Sequence, residues 1–98
     1  MAEYNIGPLT QIPPGEGRNF IVAAQKIAVF RTREGAVFAT QAHCPHKNGP
    51  LADGLVDATS VVCPLHDRVF AFATGAGSDC AITTYPATVA EGYITVTL

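Results

Sequence analysis

The chain has little charge, few cysteines and no long apolar run. Only 14% of its 98 residues are Asp, Glu, Lys or Arg, and the formal net charge is −2. There is no basic stripe, so neither nucleic acid nor an anionic membrane surface is an expected partner. The opening MAEYNIGPL has no basic start followed by an apolar stretch, so no signal peptide is expected. No segment approaches the length needed to span a bilayer, because the most apolar region, around FIVAA and IAVF, is interrupted by Gln25-Lys26. A cytoplasmic protein with reduced thiols is therefore expected. Three cysteines are an odd number and do not suit a disulfide framework. No linker, repeat or low-complexity run divides the chain, so one domain over residues 1–98 is expected.

Helical periodicity is also missing, and what replaces it is strand pattern. Strands are expected over Arg18–Ala23, Lys26–Thr32, Ala36–Thr40, Ser60–Cys63, Val69–Ala73, Tyr85–Ala90 and Tyr93–Leu98. Arg33-Glu34-Gly35, Gly75-Ala76-Gly77 and Glu91-Gly92 read as turns between them. Phe70 and Phe72 should share one face of their strand, with Val69 on the other. Many short strands separated by turns predict a small all-β antiparallel sandwich or barrel. Apolar residues are 48% of the chain, enough for a modest core. A domain this small often gains from a metal or another staple.

The candidate staple lies in two turns. HCPHKNGPL occupies residues 43–51 and CPLHDRVF occupies residues 63–70. The pattern is C-x-H, sixteen residues, then C-x-x-H: Cys44 and His46, followed by Cys63 and His66. Buried thiols acting as small hydrophobes would suit Cys80, which has no nearby His. They suit Cys44 and Cys63 poorly, since both sit in Pro/Gly-rich turns. Two thiolates and two imidazoles suit Zn²⁺ or an iron–sulfur centre equally by ligand type. Common two-Cys, two-His zinc modules keep both cysteines on one turn and both histidines on a helix. Here each turn carries one of each, and no helix follows.

CPHKNGPL and CPLHDRVF resemble, almost throughout, the two loop motifs of the Rieske [2Fe–2S] family, in which His₂ replaces Cys₂ on one iron. The resemblance runs from about Phe20 to Leu98. It implies a small Rieske-type β sandwich or barrel with a cluster-binding subdomain of two loops, about 43–52 and 62–70, and one [2Fe–2S] cluster per chain. Cys44 and Cys63 would hold one iron through thiolate sulfur, and His46 and His66 the other through a ring nitrogen. Two thiolates bring an oxidised core of charge about +2 near neutrality, so an electron enters more easily than in four-Cys ferredoxins. Pro45 and Pro64 fix φ beside the first ligand of each loop. Gly49 and Gly54 would allow tight turns or close approach to the sulfides. Leu51, Leu65, Pro50 and Pro64 would shield the cluster, and Pro45, Leu51, Pro64 and Leu65 would meet a partner at its tip. His43, Lys47, Asp67 and Arg68 are read as surface or structural residues, and Cys80 as a non-ligand.

Such a cluster moves single electrons, and after it is built only His43 remains as a spare histidine. No second iron site, catalytic pocket or nucleotide-binding domain is visible. The expectation is an electron carrier or redox subunit whose catalysis lies in a partner. CPHKNGPL, TGAGSDC and TTYPATVAEGYITV are similar to segments of the small subunit of assimilatory NAD(P)H-dependent nitrite reductases. That family implies a large sirohaem- and flavin-containing partner in nitrate assimilation. Free Rieske ferredoxins share the ligand motifs and often the TYP hairpin, and would imply a flavin reductase and an aromatic-ring dioxygenase. A structural zinc module is the third, colourless alternative. Quinol-oxidising Rieske proteins carry hydroxyl donors and a loop disulfide at positions that here are Arg68, Phe70, Gly49 and Leu65. Without them the resemblance implies a potential near the low end of the Rieske range, about −150 mV.

Overall fold

The computed structural model describes residues 2–45, 49–64, 68–77 and 80–98. Among the described residues ten short strands form three antiparallel sheets, with no closed barrel. The first sheet has β1 (Glu3–Pro8), β10 (Tyr93–Thr97) and β9 (Ala87–Ala90), with β10 in the centre. The second orders β2 (Glu16–Val22), β3 (Gln25–Arg31), β4 (Val37–Gln41) and β8 (Thr84–Tyr85). The third, β5 (Leu55–Val56), β6 (Ser60–Val62) and β7 (Val69–Ala71), carries one of the two Cys/His motifs. The helical elements among the described residues are two single 3₁₀ turns, Leu9–Gln11 and Leu51–Asp53.

β3 organises these layers. Its residues Ile27, Ala28, Val29 and Phe30 are all buried, which a strand achieves only when both faces are covered. Ile27 and Val29 point into a core with Val22, Val37, Ala39, Ile94 and Val96, against the first sheet. Ala28 and Phe30 point the opposite way, into a core with Leu51, Val61, Phe70, Phe72 and Ile82. That second core also contains Cys44 and Cys63. The alternation of side chains along one strand thus joins a structural half to the half that bears the candidate site.

Two local features depart from the expected strands. The segment expected as one strand over Tyr85–Ala90 is split at Pro86, which has no N–H to give a ladder. β8 pairs with β4 and β9 with β10, so the chain changes sheets at the proline. β1 was not expected, because EYNIGP is polar and holds both Gly and Pro. It forms by pairing with β10, from Glu3↔Thr97 to Pro8↔Tyr93, with an irregularity between Asn5 and Gly7. The β2–β3 hairpin turns at Ala23 and Ala24, one residue before the expected position. Both alanines have positive φ, 50° and 64°.

Candidate metal centre

Both motif loops are closed by the same backbone bond. In the first, β4 runs past Gln41, and Ala42 accepts the Leu51 N–H at 3.1 Å. His43 bridges Pro50, and the Cys44 N–H donates to the Gly49 carbonyl at 2.8 Å. In the second, Val62 pairs with Val69, and the Cys63 N–H donates to the Arg68 carbonyl at 2.6 Å. Each cysteine is therefore anchored to the residue five positions on. Pro45 and Pro64 follow the cysteines, and both are exposed. In sequence, His46 and His66 fall between the closing residues; they lie outside the described residues, as do Lys47, Leu65 and Asp67.

The two thiols meet in one apolar environment. Cys44 is 1% exposed, Cys63 is 0% exposed, and neither is in a disulfide. They share a cluster with Phe30, Leu51, Phe70 and Phe72. Burying two thiolates in such surroundings would be costly unless a cation compensates them. A ferric centre supplies that charge and takes thiolate as a preferred donor. Two soft donors brought from two loops into a dry core thus fit one edge of a [2Fe–2S] group. Cys80 is half-buried and packs at the margin of the same cluster.

Several expectations change in three dimensions. Leu51 is 0% exposed and belongs to the core, so it can shield the thiols but cannot touch a partner. Gly54 has ordinary extended backbone, with φ −77° and ψ 174°. A Cβ there would collide with the Val62 carbonyl, so this glycine lets the chain settle closely on β6. Arg68 is half-buried, and its carbonyl closes the second loop. The expected faces of β7 are correct: Phe70 and Phe72 are buried, and Val69 is 48% exposed.

Gln41 is a site residue that the motifs do not reveal. Its backbone N–H donates to the Thr83 carbonyl at 2.9 Å, and its Oε1 accepts the Thr83 N–H at 2.7 Å. Its Nε2 donates to the His43 carbonyl at 2.7 Å. One side chain thus ties the base of the first loop to the segment before β8. Nothing in the sequence marks it, because a glutamine at a strand end has many uses.

A family model for the Rieske [2Fe-2S] domain matches residues 2–91. The anthranilate 1,2-dioxygenase ferredoxin subunit of Burkholderia cepacia is 30% identical over 101 aligned residues, covering 98% of this chain and 93% of that one. The biphenyl dioxygenase ferredoxin subunit of Pseudomonas sp. (strain KKS102) is 39% identical over 66 residues, covering 66% of this chain and 60% of that one. A cholesterol 7-desaturase of Xenopus laevis matches at 37% over 60 residues, or 60% of this chain and only 13% of that protein. Among solved structures, a Mycobacterium tuberculosis chain described as the small subunit of an NADH-dependent nitrite reductase superposes with a TM-score of 0.88 at 25% identity, covering 97% of this chain and 93% of that one. A chain from a complex of oxygenase and ferredoxin in carbazole 1,9a-dioxygenase superposes at 0.79 with 27% identity, covering 96% of this chain and 100% of that one.

Proposed function

The chain belongs to the Rieske [2Fe–2S] domain family, and on that premise we propose that it is the small redox subunit of an assimilatory NAD(P)H-dependent nitrite reductase. Rieske-type electron transfer and a [2Fe–2S] cluster come with the family. When bound, the cluster takes up and releases one electron at a time. The ligands in this reading are Cys44 and Cys63 on one iron and His46 and His66 on the other. The observation that carries it is the pair of matched loops, each closing on its own buried cysteine. The remaining residues hold and insulate. Gln41 fixes the first loop, the Arg68 carbonyl fixes the second, and Leu51, Phe70 and Phe72 keep water from the sulfur side. The whole of residues 1–98 serves as one such domain, in the cytoplasm, with catalysis in a larger partner.

The nitrite reductase reading draws its support from the likeness to the M. tuberculosis chain over nearly the full length of both. A second reading has its own support: the anthranilate and biphenyl dioxygenase ferredoxins are the relatives at 30% and 39% identity. In that case the partners are a flavin reductase and a ring-hydroxylating oxygenase. Affinity capture of the tagged chain from its source cell separates the two. A co-purifying protein with a sirohaem spectrum, reducing nitrite with NAD(P)H only when the chain is present, is the expected result. A Rieske oxygenase in its place assigns the chain to the second reading. Zinc bound in place of iron would end both.

A further inference from the structure

Phe70 is a fully buried aromatic residue on β7, opposite Val61 of β6. Continuing the register, Cys63 faces Arg68, so Phe70 is the diagonal neighbour of Cys63 on the same face of the pair. Diagonal neighbours lie about 7–8 Å apart at Cα, within reach of an aromatic ring. After β7 the chain doubles back. The Gly75 N–H donates to the Ala71 carbonyl at 2.7 Å, and the Ala71 N–H donates to Ala76 at 3.0 Å. The Ile82 N–H reaches the Gly75 carbonyl at 2.8 Å, Ala76 bridges Ala81, and the Gly77 N–H donates to Cys80 at 2.9 Å. These bonds lay residues 75–77 beside residues 80–82 and set Gly77 against the Phe70 ring. A Cβ built on Gly77 would stand 2.8 Å from Cε1 and 2.9 Å from Cδ1 of Phe70, and 2.6 Å from the Cys80 carbonyl oxygen. Gly77 is not among the positive-φ glycines, so its missing side chain serves space alone.

We propose that Gly77 is a positioning residue for the redox centre: it seats the Phe70 ring as a tight apolar wall beside Cys63. Oxidised, a centre with two thiolates is near neutral; reduced, it carries an extra negative charge. Water beside it would favour the reduced form, so a closed wall holds the potential down. The inference rests on Cys63 as a ligand. That assumption is tested apart, by loss of the cluster in Cys63→Ser, whereas the seat is tested on loaded proteins.

Redox titration and electron paramagnetic resonance of cluster-loaded Gly77→Ala, Phe70→Leu, the double variant and Gly75→Ala form the test. Gly77→Ala should shift the one-electron equilibrium about tenfold toward the reduced form, about 59 mV upward, and move the g values. With Phe70→Leu already present, Gly77→Ala should change the equilibrium less than about twofold, because the two act through one contact. Gly75 has φ +77° and a Cβ there would strike the Ile82 carbonyl, not Phe70. Gly75→Ala should therefore lower the melting temperature and leave the potential within about twofold of the parent. An unshifted Gly77→Ala, additive effects in the double variant, or an equal shift in Gly75→Ala would each overturn the proposal. If Gly77→Ala does not fold, because the Cys80 carbonyl is met as well, loaded Phe70→Leu decides alone: opening the wall should shift its equilibrium toward the reduced form, and an unshifted Phe70→Leu overturns the proposal.

Discussion

The Cys63 N–H donates to the Arg68 carbonyl at 2.6 Å, so the backbone of the second cysteine is held by its own loop. Cys44 is fixed in the same manner by Gly49 at 2.8 Å. With both backbones held in this way, the thiolate is what each serine substitution removes. Cys44→Ser and Cys63→Ser should each abolish the red-brown visible spectrum. Cys80 packs at the margin of the apolar core and lies outside both motifs, and Cys80→Ser should retain the spectrum in full. Bleaching of the Cys80 variant with its fold intact would mean that the ligand set is wrong.

Protein prepared with adequate iron should contain two irons and two acid-labile sulfides, with no stoichiometric zinc. Removing them should destabilise the fold, because two loops lose their common anchor while two thiols stay buried. A ligand bound only by the native state adds several kcal/mol, and in a domain of this size each kcal/mol is worth about 4–8 °C. The apo-protein should melt at least about 10 °C below the holo-protein in differential scanning calorimetry. Coincident melting curves would rule out a staple role.

The partner surface must exclude Leu51 but can include β7. Val69, 48% exposed, lies next to the residue that closes the second loop, in register with Val62 and, beyond it, Leu55, which is 76% exposed. Exposed apolar rows of this kind tend to mark contacts. Val69→Asp should slow electron transfer to the larger redox partner at least about tenfold, with the cluster spectrum unchanged, as charge is forced into a dehydrated contact. Stopped-flow rates equal to the parent's would place the docking surface elsewhere.

The Ala23-Ala24 turn stores strain that is unrelated to the redox centre. Left-handed backbone at a non-glycine residue costs roughly 1–2 kcal/mol. Two-residue hairpins of this hand prefer Asn-Gly. Ala23→Asn with Ala24→Gly should raise the melting temperature by about 4–8 °C and leave the potential unaltered. A lower melting temperature would show that the alanines make contacts worth more than their strain.

Phe70 offers no hydroxyl, and no disulfide involves Cys44, Cys63 or Cys80. The midpoint potential should fall near about −150 mV. A hydroxyl added by Phe70→Tyr would be buried on the Cys63 face and should donate to a cluster-side sulfur, raising the potential. A parent midpoint above about +100 mV in redox titration would refute the low-potential reading.

Local patterns carried most of the core strands. Ile27–Phe30, the β6–β7 pair and the Glu91-Gly92 turn were all legible, because burial and turn chemistry act over a few residues. The spacing singled out Cys44 and Cys63 but not their burial: their Pro/Gly-rich turns suggested solvent, yet both are buried, while Cys80, expected as the buried thiol, is only partly so. What escaped depends on distant partners. β1 exists because β10 offers it an edge, and Gln41 matters because Thr83 and the His43 carbonyl lie within its reach. Leu51 looked like loop and proved to be core, since a 3₁₀ turn folds it inward beneath the first loop. His46 and His66, read from the motif, lie outside the described residues.

The strand whose side chains alternate between two cores removes any seam at which the molecule could come apart in stages. Ala28 and Phe30 cannot leave one side without pulling Ile27 and Val29 from the other. Breathing of the metal-bearing end should therefore be felt at Ile94 and Val96, in the core across β3 from the two cysteines. Amide hydrogens of β10 would then exchange faster once iron is withdrawn, making the far sheet a reporter of whether the centre is filled.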